Sequence, residues 1–451
     1  MTELRELARF VHDLKWENVP DDVKETTKKV LIDSVGVGVG ACRNEQNVNI
    51  IREFTNLCND HTVSIWGQKE KTSLFQAVFL NALEGHTLEM DDVHTRSKTH
   101  IGTVVTPAVW SVAEYEKKNG QELLLAELCG YEVTARIGMA LGVSAHRNLG
   151  WHATSTAGVI GAAAACAKLL NLSEDEIVYA MGMAAQEAGG TWAFLGDGAS
   201  CKILNPATAA CTGAKCAYLA KAGMTGPEHV LTTEDGGMLA AMSNGYDVSK
   251  VSANLGTIWE VKYMDNKPYP CCRSTHCTID ASLYLMEHDG VRPEQIDHIE
   301  VYTYLVGNKQ CGMSDGSIHP TKAVEAKFST PFTVATALLY GRVTLEEFTQ
   351  DKIDDPKVQE LLSHVKVITD DTFTSRYPDH WGCRVVAYLK DGSRHEATIP
   401  DASGSTDNPL TTQQLTAKIK GILLRVMDET KAEETMEYLH NIEMVSELRS
   451  V

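Results

Sequence analysis

The stretch Gly85–Gly102 reads Gly-His-Thr-Leu-Glu-Met-Asp-Asp-Val-His-Thr-Arg-Ser-Lys-Thr-His-Ile-Gly, and it holds three histidines, three carboxylates, an arginine and a lysine. A loop that only meets water needs Gly, Ser and Lys, not histidines interleaved with acids. Imidazoles titrate near neutrality, and neighbouring carboxylates tune that titration, so the pattern suits removal and return of a proton. Glu89, Asp91, Asp92, His94 and His100 also supply enough ligands for zinc or iron. The spacing His94-x5-His100 is not that of a zinc-binding helix, however, so no metal is assigned. A salt-bridged, purely structural segment is the bland alternative.

Three further stretches carry polar groups in small-residue surroundings. His152, in Gly150-Trp151-His152-Ala153-Thr154, stands at the start of an Ala-rich helix, where free backbone N–H groups attract anions. Lys202 lies between the turn Asp197-Gly198 and another Ala-rich helix, which places its ammonium near a pocket. Lys267-Pro268-Tyr269-Pro270-Cys271-Cys272-Arg273-Ser274-Thr275-His276 combines a stiff backbone with Lys267, Arg273 and His276. Rigidly placed cations suit a di- or tricarboxylate, which arginine grips with two parallel hydrogen bonds. A structural linker with incidental charges is the alternative there.

These segments need a scaffold, and the chain changes texture once. From Leu7 to about Gly256 the pattern is helical. Asp21-Asp22 opens an apolar-striped helix whose Gly36, Gly38 and Gly40 predict close helix–helix approach. Thr154 to Leu170 is so rich in Ala and Gly that it must be buried on most faces. Asn171 to Glu176 is a capping-box turn. Beyond Ile258, Ile299–Leu305 and Val365–Thr369 read as strands. Arg384–Leu389 and Arg394–Ile399 form a hairpin around Asp391-Gly392. Helices are expected at Thr278–His288 and Thr330–Leu339, and an amphipathic helical pattern returns from Thr411. The expected fold is α+β: an all-helical domain, 1–262 rejoined by 402–451, and a smaller α+β domain, 263–401.

Composition narrows the function. At 451 residues and a net charge of −19, the chain lacks the basic footprint of a nucleic-acid or anionic-membrane partner. No apolar run is long enough for a transmembrane helix, and Met1 to Glu6 has no secretory character. The twelve scattered cysteines, without a C-x-x-C pair, fit buried reduced thiols and a cytoplasmic location.

Gly85-His86 through Asp91-Asp92 to Thr99-His100, Gly150-Trp151-His152, Lys202 with Gly213 to Pro227, Lys267 to Pro270, and Glu325-Ala326-Lys327-Phe328-Ser329 follow one another over most of the chain. Together they resemble the 2-methylcitrate dehydratase (MmgE/PrpD) family. The resemblance implies a helical domain with an α+β lid domain, a homodimer, and no metal or organic cofactor. The family includes 2-methylcitrate dehydratases, cis-aconitate decarboxylases and an iminodisuccinate epimerase. It therefore implies proton transfer at a carbon next to a carboxylate of a small polycarboxylate, first as a hydro-lyase of the 2-methylcitrate dehydratase type. Decarboxylation and epimerisation are the alternatives within the family. The resemblance places catalytic groups at His100, His152, Lys202 and Lys267. Glu89, Asp91, His94, Arg273 and His276 are the substrate-binding candidates. The family's usual Asp two residues before the Asp-Asp pair is Glu89 here, one methylene longer. A metal-dependent hydro-lyase and a non-catalytic helical interaction protein are the readings outside this class.

Overall fold

The Ala- and Gly-rich run forms one helix, Ala153–Leu169, buried along its length except at Ala153 and Lys168. Helices Gly102–Tyr115, Gly120–Ala140, Glu174–Gln186 and Leu204–Lys221 pack around it. Such packing works only because the facing residues are small. A Cβ on Gly161 would lie 1.8 Å from Thr134 Oγ1 and 2.7 Å from the Gly130 carbonyl oxygen. Two of these helices open with capping boxes, Asn119 with Glu122 and Ser173 with Glu176, which satisfy backbone N–H groups reciprocally.

The computed structural model describes residues 1–451. The chain divides into two units. One comprises Met1–Trp192, Cys201–Asn266 and Thr411–Val451; the other comprises Ala193–Ser200 and Lys267–Leu410. The architecture is α+β, 58% helical with small sheets, as the sequence predicts. No helix is long and apolar enough to cross a membrane.

The first unit is helical with one exception to expectation. After Lys221 the chain runs mostly through turns, with only Met238–Met242 as an α-helix before Asn266. Gly223, Gly226, Pro227, Gly236 and Gly237 interrupt that stretch, and each removes helix propensity or a backbone donor. The polar segment after helix Leu74–Thr87 is an irregular crossing to helix Gly102–Tyr115. Its one strand, Val93–His94, pairs antiparallel with Met264–Asp265. Helix Asp21–Gly40 supports this region, and its glycines do make close contacts. Gly38 faces Trp66, while Gly36 and Gly40 leave room for Ile419 and Ile422 of helix Thr412–Leu423.

The second unit is built on a four-stranded sheet ordered Val365–Thr369, Ile296–Thr303, Cys383–Leu389, Arg394–Ile399. The first pair is parallel and the others antiparallel. Asp391-Gly392 does turn the last hairpin, with Gly392 at φ +87°, a conformation glycine adopts without strain. Helices His276–Glu287 and Thr330–Tyr340 pack within the same core, where Ile299, Val301, Val385 and Ala387 meet Ile279, Phe332 and Val334.

Candidate active site

The crossing between helices Leu74–Thr87 and Gly102–Tyr115 folds around Asp91. Its Oδ2 lies 2.8 Å from His86 Nδ1 and 2.9 Å from His100 Nδ1, so one carboxylate oxygen holds two imidazoles. His86 comes from the last turn of the first helix, and its ring stands edge-on to that of His100, with centroids 5.1 Å apart. His86 and Asp91 are sealed from solvent, whereas His100 keeps 15% of its side chain exposed. Of the three, His100 is therefore the one that can meet a solute.

Backbone geometry fixes the proton on His100. Its Nδ1 is also 2.8 Å from the carbonyl oxygen of Asp92, and a carbonyl can only accept. The Nδ1 hydrogen is thus committed, and the neutral ring presents a lone pair at Nε2. The His100 backbone N–H donates to Thr154 Oγ1 at 3.1 Å, tying the crossing to helix Ala153–Leu169. Asp92 caps the next helix, because its Oδ1 accepts from the Gly102 N–H at 3.0 Å and its Oδ2 accepts from the Tyr131 hydroxyl at 2.7 Å. Burial nonetheless pushes the Asp92 carboxyl up to about 8.

His152 is arranged in the opposite sense. It occupies the cap position of helix Ala153–Leu169, with its backbone N–H donating to the Gly190 carbonyl at 3.0 Å. Asn205, in the first turn of helix Leu204–Lys221, places its Nδ2 3.1 Å from His152 Nδ1 and 3.2 Å from the Thr191 carbonyl. Both amide hydrogens are spent there, since a carbonyl oxygen turned toward Thr191 would repel it. His152 Nδ1 therefore accepts, and the neutral ring carries its hydrogen at Nε2. Burial holds the His152 imidazole well below the ordinary 6.5, and the nearby charges of Lys202, His86 and His100 push the same way. The ring packs edge-on against Trp192 at 5.1 Å and lies 6.3 Å from that of His86.

Lys202 sits in the short turn before helix Leu204–Lys221 and forms an ion pair with Glu89. Glu89 has φ +59°, in the left-handed region, where a side chain costs roughly 1–2 kcal/mol. Such strain persists only where the surroundings impose it, and it collects at functional sites. The structure thus places Glu89, Asp91, His100, His152 and Lys202 in the first unit, as the Glu89–Lys202 pair, the Asp91–His100 group that includes His86, and His152 with Asn205.

The other sequence candidates are placed differently. His94 is fully buried, with Nδ1 2.8 Å from Ser97 Oγ and Nε2 3.3 Å from Glu260 Oε2. Burial lowers its pKa, and both ring nitrogens are engaged away from the Asp91 cluster. Lys267, Arg273 and His276 belong to the second unit. There the His276 ring stacks edge-on to Tyr269 at 5.1 Å, the Tyr269 hydroxyl donates to Asp280 at 2.6 Å, and Arg273 opens the short helix Arg273–Thr275.

His86, Asp91 and His100 place one potential ligand atom each within 4.8 Å of the others, the kind of grouping that can hold a metal ion. The donor chemistry argues for a hydrogen-bonded relay instead. His100 Nδ1 is committed as a donor to a backbone carbonyl, and both imidazoles point at the carboxylate oxygen rather than at a shared vacant point.

Comparison with known proteins identifies the family. The N-terminal MmgE/PrpD domain matches residues 5–250 and the C-terminal domain matches residues 269–444. A cis-aconitate decarboxylase-like protein of Aspergillus oryzae is 26% identical over 94% of this chain and 91% of its own length. The cis-aconitate decarboxylase of Aspergillus terreus is 24% identical, covering 98% and 94%, and the human one is 26% identical, covering 97% and 91%. With both domains matched in order across nearly its whole length, the chain belongs to the MmgE/PrpD family.

Proposed function

We propose that the protein is a lyase that moves a proton at a carbon next to a carboxylate of a small di- or tricarboxylate, with decarboxylation of cis-aconitate as its net reaction. The observation that carries the proton-transfer reading is the opposed tautomers of two histidines, a lone pair at His100 Nε2 and an N–H at His152 Nε2, and the likeness to cis-aconitate decarboxylases favours decarboxylation as the net reaction. His100 Nε2 takes up a proton from solvent, Asp91 stabilises the imidazolium so formed, and that proton passes to substrate carbon as the C–C bond to the departing carboxylate breaks and carbon dioxide leaves. His152, kept neutral, donates a hydrogen bond to the oxygen on which charge collects as the bond to the departing carboxylate breaks. Lys202 offers a cation for a substrate carboxylate, and Glu89 sets its position. Lys267, Arg273 and His276 are proposed as further carboxylate-binding groups, tested by a rise in KM on substitution.

Elimination of water shares the carbanion-like state, and the His152 N–H is equally suited to a departing hydroxyl. Dehydration of the 2-methylcitrate type is therefore the second reading. The deciding experiment incubates the protein with cis-aconitate, 2-methylcitrate, citrate and iminodisuccinate in heavy water and reads products by NMR. Carbon dioxide loss from cis-aconitate, with deuterium on a carbon beside a carboxylate, is expected. Absence of deuterium uptake from all four acids refutes the reading. Activity abolished by a chelator and restored by zinc or iron would favour a metal-dependent hydro-lyase instead.

A further inference from the structure

The carbonyl of Met90 stands between the two carboxylates that organise the site, Glu89 on one side and Asp91 on the other. It is held from far along the chain. Lys418 Nζ lies 2.8 Å from the Met90 carbonyl oxygen and 2.5 Å from Asp33 Oδ1. The side chains of Lys418 and Asp33 are 5% and 0% exposed. Asp33 Oδ2 in turn accepts from Asn266 Nδ2 at 3.0 Å.

We propose that Lys418, on helix Thr412–Leu423, is a positioning residue that pins the Met90 carbonyl and thereby sets Glu89 and Asp91. This rests on the lyase reading and adds a residue that touches none of the reacting atoms. A buried ion pair is a poor way to stabilise a fold, since packed apolar side chains serve as well or better. What it does distinctively is hold a chosen acceptor at a chosen point. The acceptor here belongs to a turn that needs holding, because Glu89 sits in a left-handed conformation. Helix Thr412–Leu423 is itself firmly placed. Cβ atoms on Gly36 and Gly40 would lie 2.5 and 2.0 Å from Ile419 and Ile422, so the two helices approach closely just beyond Lys418's reach to Asp33.

The test separates positioning from mere stability with a pair of variants. Lys418→Met leaves the Asp33 carboxylate buried and uncompensated, so both Tm and kcat fall. Adding Asp33→Asn removes that charge, and Tm recovers toward wild type. The Met90 carbonyl stays unheld in the double variant, so kcat on cis-aconitate remains down on the order of 10–100-fold, the effect of about an ångström of misplacement. KM changes less than kcat. Lys420→Met on the same helix, which breaks only surface pairs to Glu429 and Glu433, serves as the control with unchanged turnover. Recovery of kcat together with Tm in the double variant overturns the proposal. Ring ¹⁵N resonances of His100 provide a readout that does not depend on turnover. They shift in both Lys418 variants, and unchanged resonances overturn the pin whether or not the wild type acts on any of the acids.

Discussion

Asn205→Asp is the sharpest probe of the opposed tautomers. The change is nearly isosteric, but it replaces an amide that donates 3.1 Å to His152 Nδ1 and 3.2 Å to the Thr191 carbonyl with a group that only accepts. A carboxylate at that point is satisfied only if His152 moves its hydrogen to Nδ1. A hydrogen bond to a charged acceptor is worth about 1.5–3 kcal/mol, so the Nε2–H tautomer falls in population by about 10- to 150-fold. The kcat for cis-aconitate should drop by that factor while KM changes little. Asn205→Ala, which withdraws the preference without reversing it, should cost less. The assay is initial-rate kinetics on both variants with melting curves as a folding check, and ¹⁵N shifts of His152 report the tautomer directly. A folded Asn205→Asp protein with wild-type kcat, or one whose His152 still carries its hydrogen at Nε2, refutes the assignment of His152 as donor.

His100→Gln keeps a hydrogen-bonding side chain but removes the proton carrier, and turnover should fall on the order of 10²–10⁴-fold; steady-state rates above a tenth of wild type would remove His100 from proton transfer. Stability should depend on pH through buried acids outside the reaction. Folded Glu127 keeps its proton to about 8, against an ordinary 4.5, so between those values the folded state binds more protons and raising the pH lowers stability. Asp92, pushed up to about 8, acts in the same sense. His152 and His94 lie below the ordinary 6.5, so above that pH they are neutral folded or unfolded and add no slope. Tm should therefore decline from pH 6.5 to 8, and Glu127→Gln, which keeps an acceptor for the Thr106 hydroxyl, should shrink the decline. Equal declines in both proteins would contradict this. Gly161→Ala should destabilise by about 1–3 kcal/mol in urea titration, because the backbone carbonyl of Gly130 must move.

The helical unit and the sheet were legible because periodicity and turn chemistry are local. Ser173 with Glu176, the Asp391-Gly392 hairpin and the glycine run at Gly36 to Gly40 each state their structure within a few residues. The polar crossing was legible as a cluster of titratable groups for the same reason, and Lys202 stood out by its small neighbours. Its internal division of labour was not. His86 belongs to the polar stretch but nothing local gives it a role, and it shares Asp91 with His100. His94 sits in the same motif and reads as a ligand, but Glu260, far along the chain, engages it. Asn205 in Leu-Asn-Pro reads as a helix-start residue, and nothing local says that it faces His152. The tautomers depend on which acceptor each ring meets in space. Only tertiary structure supplies that.

The return of residues 411–451 to the helical unit has a consequence for synthesis. A ribosome delivers Asp33, the Asp91 crossing, His152 and Asn205 well before Lys418, with the whole sheet-bearing unit in between. Until then a nascent chain carries Asp33 without its buried counter-charge and the Met90 turn without its anchor. Helix Thr412–Leu423, which emerges after all of these residues, thus acts as a late fastener of the crossing.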